Sequence, residues 1–246
     1  MLNSVFTTAV LAALLAGGSG LFGTRDADEW LRGVDRNLTF KSAEYTALMT
    51  IHLPDGRERY FRFIGKVVGE DFALMEYIEP PNQKGVRYLR RRDDLWIYFP
   101  RQDHTMQIQG HMLRQGVQGG DLSFEDLTES SSLRDKYRAQ LIAETDTTVT
   151  IRLVAHDMSV SYPYRELLID RRTSLPVKMV NGGVGNRPIK EFVILESKRF
   201  GDRVYPVKSE IHSLLVKDKW TRFEIESIRF GVDFPPETFT KRMLAR

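Results

Sequence analysis

The stretch VQGGDLSFEDL, Val117–Leu127, places Asp121, Glu125 and Asp126 around a serine and a phenylalanine, directly after a glycine pair. Paired carboxylates can act as acid and base only when they flank a substrate in environments that split their pKa values. Glu125 and Asp126 are adjacent, so regular structure points them apart. Asp121 and Glu125 stand four residues apart and could share a helix face. The same residues also spell a helix start: Asp121 or Ser123 as N-cap, acids in the first turn, and Leu122, Phe124 and Leu127 as buried anchors. The residue pattern favours this second reading. The other constellations are weaker. His52, His104, His111, His156 and His212 show no HxH or HExxH spacing, although His104 and His111 flank TMQIQG and could meet across a hairpin. Ser159 and Ser161, in MSVSYP, lack the glycine elbow of a hydrolase nucleophile. Gly182–Asn186, GGVGN, is not followed by the Lys-Ser/Thr or the helix of a phosphate loop. Trp30, Trp96 and Trp220 read as packing residues. No catalytic residue, metal ligand or cofactor is expected, and the chain reads as a non-enzyme.

The 246 residues are 41% hydrophobic and 28% charged, with a formal net charge of +3, as in an ordinary globular protein. The only dense basic cluster, LRRRDD at Leu89–Asp94, ends in two acids and reads as a solvated strand end, so no nucleic-acid partner is expected. The sequence contains no cysteine, which excludes disulfides, zinc–thiolate sites, cysteine nucleophiles and a lipid-modified cysteine. Residues 1–23 carry no charge, and Val5–Gly18 is a continuous run of apolar and small residues. Its length suits a signal-peptide core, with a cleavage region near Gly17–Gly20. An exported, periplasmic protein is the expectation; an uncleaved membrane anchor is the alternative.

The elements that must position these residues follow from periodicity. Asp26 can cap a helix whose Trp30, Leu31, Val34 and Leu38 share one face. From Tyr45 the period becomes two: Tyr45, Ala47, Met49, Ile51 and Leu53 alternate with polar residues. Pro54–Gly56 is a turn, and Phe61 and Phe63 continue the pattern in the returning strand. Ten to twelve strands are predicted over the chain, with weaker helical candidates near Asp121–Tyr137. In the last strand Phe223 and Ile225 alternate, then Ile228 and Phe230 do. The slip near Glu226–Ser227 predicts a bulge. Without crossover helices the sheet must be antiparallel. The fold class is therefore mainly β, with residues 24–246 as one domain. So few helices either leave an apolar cavity or share a core filled by side chains.

Met75–Leu127 contains PPNQKGVRYL, DLWIYFP and GGDLSFEDL in order. This combination resembles the LolA-like outer-membrane lipoprotein-sorting proteins, and more closely the branch often found beside RND-type exporters. Such proteins usually have Gly-Ser-Asp where this chain has Gly119, Gly120 and Asp121. The resemblance implies an unclosed antiparallel β-barrel with helices over its open side and a hydrophobic cavity for acyl chains. It implies a structural role for Gly119, Asp121, Phe124, Glu125, Asp126 and Leu127. The implied function is a periplasmic carrier of lipoprotein or lipid cargo to or from the outer membrane, with an inner-membrane RND-type exporter as a further partner. An exporter adaptor with a filled core and an envelope hydrolase are the alternatives. Candidate cavity residues on the inner face are Met49, Ile51, Phe61, Phe63, Leu74, Ile97, Leu168, Met179, Leu195 and Ile211. A one-residue error in register would invert any of these assignments.

Overall fold

The computed structural model describes residues 26–128, 132–157 and 160–245. The uncharged amino-terminal run and Ser159 lie outside the described residues. The chain opens with helix α1 (Ala27–Leu38), followed by strands β1 (Ser42–His52), β2 (Glu58–Val68), β3 (Phe72–Glu79), β4 (Arg87–Arg91), β5 (Asp94–Phe99) and β6 (His104–Ile108). Two short 3₁₀ turns and helix α2 (Phe124–Thr128) lead into β7 (Tyr137–Glu144), β8 (Thr148–Ala155), β9 (Tyr164–Asp170) and β10 (Pro176–Gly182). Then come β11 (Pro188–Phe200), β12 (Arg203–Ser213), β13 (Trp220–Phe230) and helix α3 (Lys241–Leu244).

All thirteen strands join one antiparallel sheet in the order 6-5-4-3-2-1-13-12-11-10-9-8-7. Every pair of neighbours in the sheet is consecutive in sequence except one: β1 pairs with β13 and so joins the two halves of the chain. Strands β6 and β7 are the free edges, so the barrel is not closed. The strand missing from the sequence reading is β6. Its HTMQI places only Met106 and Ile108 on the inner face, and an edge strand needs no apolar outer face. The bulge occurs where the phase slip predicts it. Thr46 pairs with Ser227 and Ala47 with Ile225, so Glu226 is skipped and Phe223, Ile225 and Ile228 stay on the concave side.

The concave side is covered in two parts. Asp26 caps α1, its carboxylate accepting from Glu29 N at 2.6 Å. Trp30, Leu31 and Val34 then pack on Val149, Ile151, Leu153, Leu167 and Ile169, inside the arc of β8 and β9. Burying each such side chain contributes roughly 1.5–3 kcal/mol. Over the other half, Val117 and Phe124 pack on Ala47, Met49, Phe61, Tyr77, Tyr88 and Ile97.

A third cluster lies on the convex side. Phe234, Phe239 and Leu244 cover Leu74, Leu89, Trp96 and Tyr98. Strand β5 is therefore apolar on both faces. Leu89–Asp94 is a strand end and hairpin turn; Arg91 and Arg92 are exposed as read, but Leu89 is buried and Arg90 half-buried. No helix among the described residues is long and apolar enough to cross a membrane. Leu31→Ala, at a site with no exposure, should cost about 3 kcal/mol, within the ~2–5 kcal/mol of buried leucine truncations; urea denaturation of parent and variant measures it.

Candidate functional site

Residues 110–128 cross the concave side and create the site. Gly116 and Ser123 form an isolated antiparallel bridge, closed by Val117 N to Leu122 O at 2.7 Å and Phe124 N to Gln115 O at 3.0 Å. A Cβ at Gly116 would lie 2.1 Å from the carbonyl oxygen of Gly120, so this crossing admits only glycine. Gly119 has φ +75°, the left-handed conformation that glycine adopts without strain. At Gly120 a Cβ would meet Thr221 Oγ1 at 2.9 Å and Ile51 Cδ1 at 3.1 Å. Gly120 thus sits close against β1 and β13.

The acids of this segment are anchors to two distant strands. Asp121 is buried, accepts from Thr221 Oγ1 at 2.9 Å, and has Lys219 Nζ at 3.5 Å. Its own backbone N donates to the same hydroxyl at 2.8 Å. Ser123 and Asp126 form a capping box at the start of α2: Ser123 N donates to Asp126 Oδ2 at 2.7 Å and Asp126 N to Ser123 Oγ at 3.2 Å. Asp126 also accepts from Lys190 Nζ at 2.6 Å and from Tyr162 OH at 2.8 Å. Burial opposes ionisation of Asp126, but Lys190 and the Ser123 donors outweigh it and hold the carboxyl below its usual range. Phe124 stacks on Tyr88 at 6.1 Å, and Arg90 Nη1 donates to Leu127 O at 3.3 Å, satisfying an end carbonyl of α2. Asp121 and Asp126 thus reach β13 and β11 separately and do not face one another across a substrate. Glu125 is half-buried at a separate polar cavity.

Beneath the segment lies an apolar cavity of about 340 Å³. Its floor is Tyr45, Ala47 and Met49 of β1, Phe63 and Val67 of β2, Met75 and Tyr77 of β3, Phe192 of β11, Tyr205 and Ile211 of β12, and Phe223, Ile225 and Ile228 of β13. Its roof is Val117, Leu122 and Leu127. The lining contains no charged residue. Burial pushes the Tyr205 phenol up to about 12 and those of Tyr45 and Tyr77 higher, so all three stay neutral. The second cavity, about 590 Å³, lies on the other side of the same segment. Arg114, Asp121, Glu125, Tyr162 and Lys190 line it. It is larger but mixed, with charged side chains beside Val160, Val184 and Ile189, and its Lys190 and Asp121 are already held in the anchoring pairs, so the uncharged apolar cavity is the stronger candidate for holding an apolar ligand.

Of the residues expected on the inner face, Met49, Phe63 and Ile211 line the apolar cavity. Ile51, Phe61 and Ile97 share its face in the adjoining packed cluster. Met179 packs with the cluster beneath α1, away from the cavity. Three assignments are corrected. Leu74 points to the convex side, where the carboxy-terminal segment covers it. Leu168 alternates with buried Leu167 and Ile169 and therefore faces outward. Leu195 sits where the β11–β12 register slips and is 47% exposed. The sequence reading missed Tyr45, Phe192, Tyr205 and the Phe223–Ile225–Ile228 set as lining. The phase slip in β13 is the signal that unites the last three.

The histidines do not assemble either. His104 and His111 are both exposed, one at the start of β6 and one in the 3₁₀ turn after it, and no group of three or more His, Asp or Glu among the described residues could hold a metal ion.

This architecture, an unclosed antiparallel barrel wrapped around an apolar cavity and covered by short helices, is the LolA fold. The structure superposes on a LolA superfamily protein from Nitrosomonas europaea with a TM-score of 0.75 at 19% identity, covering 89% of this chain and all of that one. A DUF1329 family protein from Desulfovibrio piger gives 0.80 at 17% identity, over 90% of this chain and all of that one. A Vibrio parahaemolyticus domain whose name proposes outer membrane lipoprotein sorting gives 0.74 at 18%, over 89% and 97%. No curated protein matches the sequence. A family model described as "uncharacterized protein" matches residues 69–246, and the chain belongs to that family.

The anchoring role of Asp126 has a definite pH dependence. Its folded pKa is depressed, so its contribution is complete above the unfolded carboxylate pKa of about 3.9 and is lost as pH falls through the lower folded value. Asp126→Asn should cost ~3 kcal/mol at neutral pH by leaving Lys190 buried without its partner, and should flatten the acid limb of the stability curve. Glu125→Gln, which leaves the Asp126–Lys190 pair intact, should keep the parent's acid limb. Thermal melts between pH 2.5 and 7 distinguish the two.

Proposed function

We propose that this protein is a non-enzymatic carrier that holds the acyl chains of a lipid or lipoprotein in the apolar cavity beneath residues 110–128. The observation that carries the reading is the uncharged, aromatic and aliphatic lining of that cavity, within the about 300–1,000 Å³ range of ligand pockets. Each acyl CH₂ moved from water into such a lining contributes about 0.8 kcal/mol, so no specific chemistry is needed for tight binding. Met49 and Met75 suit a chain of variable shape, because the unbranched thioether adapts to irregular contacts. The LolA fold and the relative whose name proposes outer membrane lipoprotein sorting support cargo of this kind and a periplasmic site of action. In this reading the anchored segment is the roof that must yield for cargo to enter. Asp121 and Asp126 keep it closed when the cavity is empty.

A fluorescent fatty-acid probe tests the proposal. It should bind the parent protein, and Ile225→Trp should weaken binding at least about tenfold by filling the cavity, while the melting temperature falls by only a few degrees. If the cavity is in fact full, the same substitution overpacks it, costs ~1–3 kcal/mol and has no binding to abolish. Leu168→Trp, on the convex side, serves as the control and should leave probe binding unchanged. That pattern reversed, or no probe binding by the parent, rejects the carrier.

Export is a separate proposal, resting on the uncharged residues 1–23. N-terminal sequencing of protein isolated from the cell envelope should find a start between about residues 19 and 27, beyond the small-residue region. A cytoplasmic protein retaining Met1 would contradict it.

A further inference from the structure

Two neighbouring hairpin tips on one rim of the barrel carry exposed apolar side chains. Leu214, Leu215 and Val216, between β12 and β13, are 45%, 55% and 43% exposed, and Val184, between β10 and β11, is 82% exposed. The tips are linked, since Leu214 N donates to Ile189 O at 2.9 Å. The aliphatic run is held outward: Ser213 Oγ accepts from the backbone N of both Leu215, at 3.2 Å, and Val216, at 3.1 Å. Arg187 and Lys217 stand exposed on the same tips, against the single acid Asp218. Trp220 follows at the base, its ring stacked on His52 at 4.9 Å.

We infer that these tips are a membrane-docking element that inserts Leu214, Leu215, Val216 and Val184 into a bilayer bearing anionic lipids. Three features favour a bilayer over a protein partner. Four aliphatic side chains on two loop tips fall well short of the about 800 Å² per partner that stable protein interfaces bury. An aliphatic tip flanked by Arg187 and Lys217, with a tryptophan behind it, matches the order of regions across a lipid surface: acyl boundary, then anionic headgroups. The position is also suitable. Val184 and Ser213 border the polar cavity, and residues of the 110–128 segment line both that cavity and the apolar one. Docking here would set the barrel rim, and the anchored segment beside it, against the membrane. The inference extends the carrier reading by placing a bilayer at one end of the transfer.

Flotation of the full-length chain with phosphatidylcholine vesicles, with and without phosphatidylglycerol, tests it, with fatty-acid probe binding measured in parallel. The parent should float with the phosphatidylglycerol vesicles, and less at high salt or without the anionic lipid. The double variant Leu214→Ser/Leu215→Ser should lower partitioning at least about tenfold. Val184→Ser, on the other tip, should lower it by a smaller factor, and Lys217→Glu should remove the preference for anionic lipid. All should bind the probe like the parent. Unchanged partitioning in the double variant and in Val184→Ser overturns the inference, as does a parent that does not float; residues 1–23 are common to all the proteins compared. A parent that floats through its tips but binds no probe would reject the carrier and leave the docking element standing.

Discussion

The inner face of a thirteen-stranded open sheet is larger than the helices among the described residues can cover, and the rest of the structure follows from that shortage. Helix α1 fills the arc of β8 and β9. The other half is roofed by residues 110–128, a segment with little regular structure of its own. It is held by polar anchors: Asp121 to Thr221, Asp126 to Lys190 and Tyr162, Arg90 to the end of α2. A roof attached at a few points fills less volume than a packed helix, and the apolar cavity is the remainder.

The same arrangement explains why acids that look catalytic are structural. A buried carboxylate is strongly disfavoured unless it is paired and hydrogen-bonded. Here each one satisfies a strand that arrives from elsewhere in the chain, and the segment supplies both anchors from opposite sides of one tight crossing. Gly116 and Gly120 make that crossing narrow enough to fit, since a Cβ at either would collide with its neighbours.

Much of this was legible in the sequence, because alternation reports directly which side of a strand faces apolar surroundings. The β1–β2 hairpin, the helix with its Asp26 cap, and the bulge at Glu226 were all readable from residue types and spacing. The three misplaced leucines fail for distinct reasons. In β9 the inward series is Arg165, Leu167, Ile169, and a buried arginine contradicts the simple pattern. Arg165 is tolerated because its guanidinium lies over the rings of Tyr137 and Tyr162 and its Nε donates to Tyr137 OH at 3.0 Å. Around Leu74 the sheet is buried on both faces, so alternation carries no sign. At Leu195 a register slip interrupts it. The cavity itself was legible only as a shortage of helices. Its lining comes from six strands spread over the chain, and their convergence depends on the pairing of β1 with β13, which no local pattern announces.

That pairing also shapes how the molecule is made. Ala43 lies opposite Phe230 and His52 opposite Trp220, contacts that close loops of more than 160 residues. Until the last strand emerges, β1 has one side unsatisfied, an edge at the centre of the future sheet whose neighbours are rich in Phe and Ile. Contacts between residues so far apart in sequence are slow to form. The two carboxylate anchors also wait, because Thr221 and Lys190 are downstream of the segment they hold. A nascent chain interrupted before residue 220 therefore has an open sheet and a roof without its Thr221 anchor, and its exposed centre makes it a natural client for whatever holds unfinished chains apart.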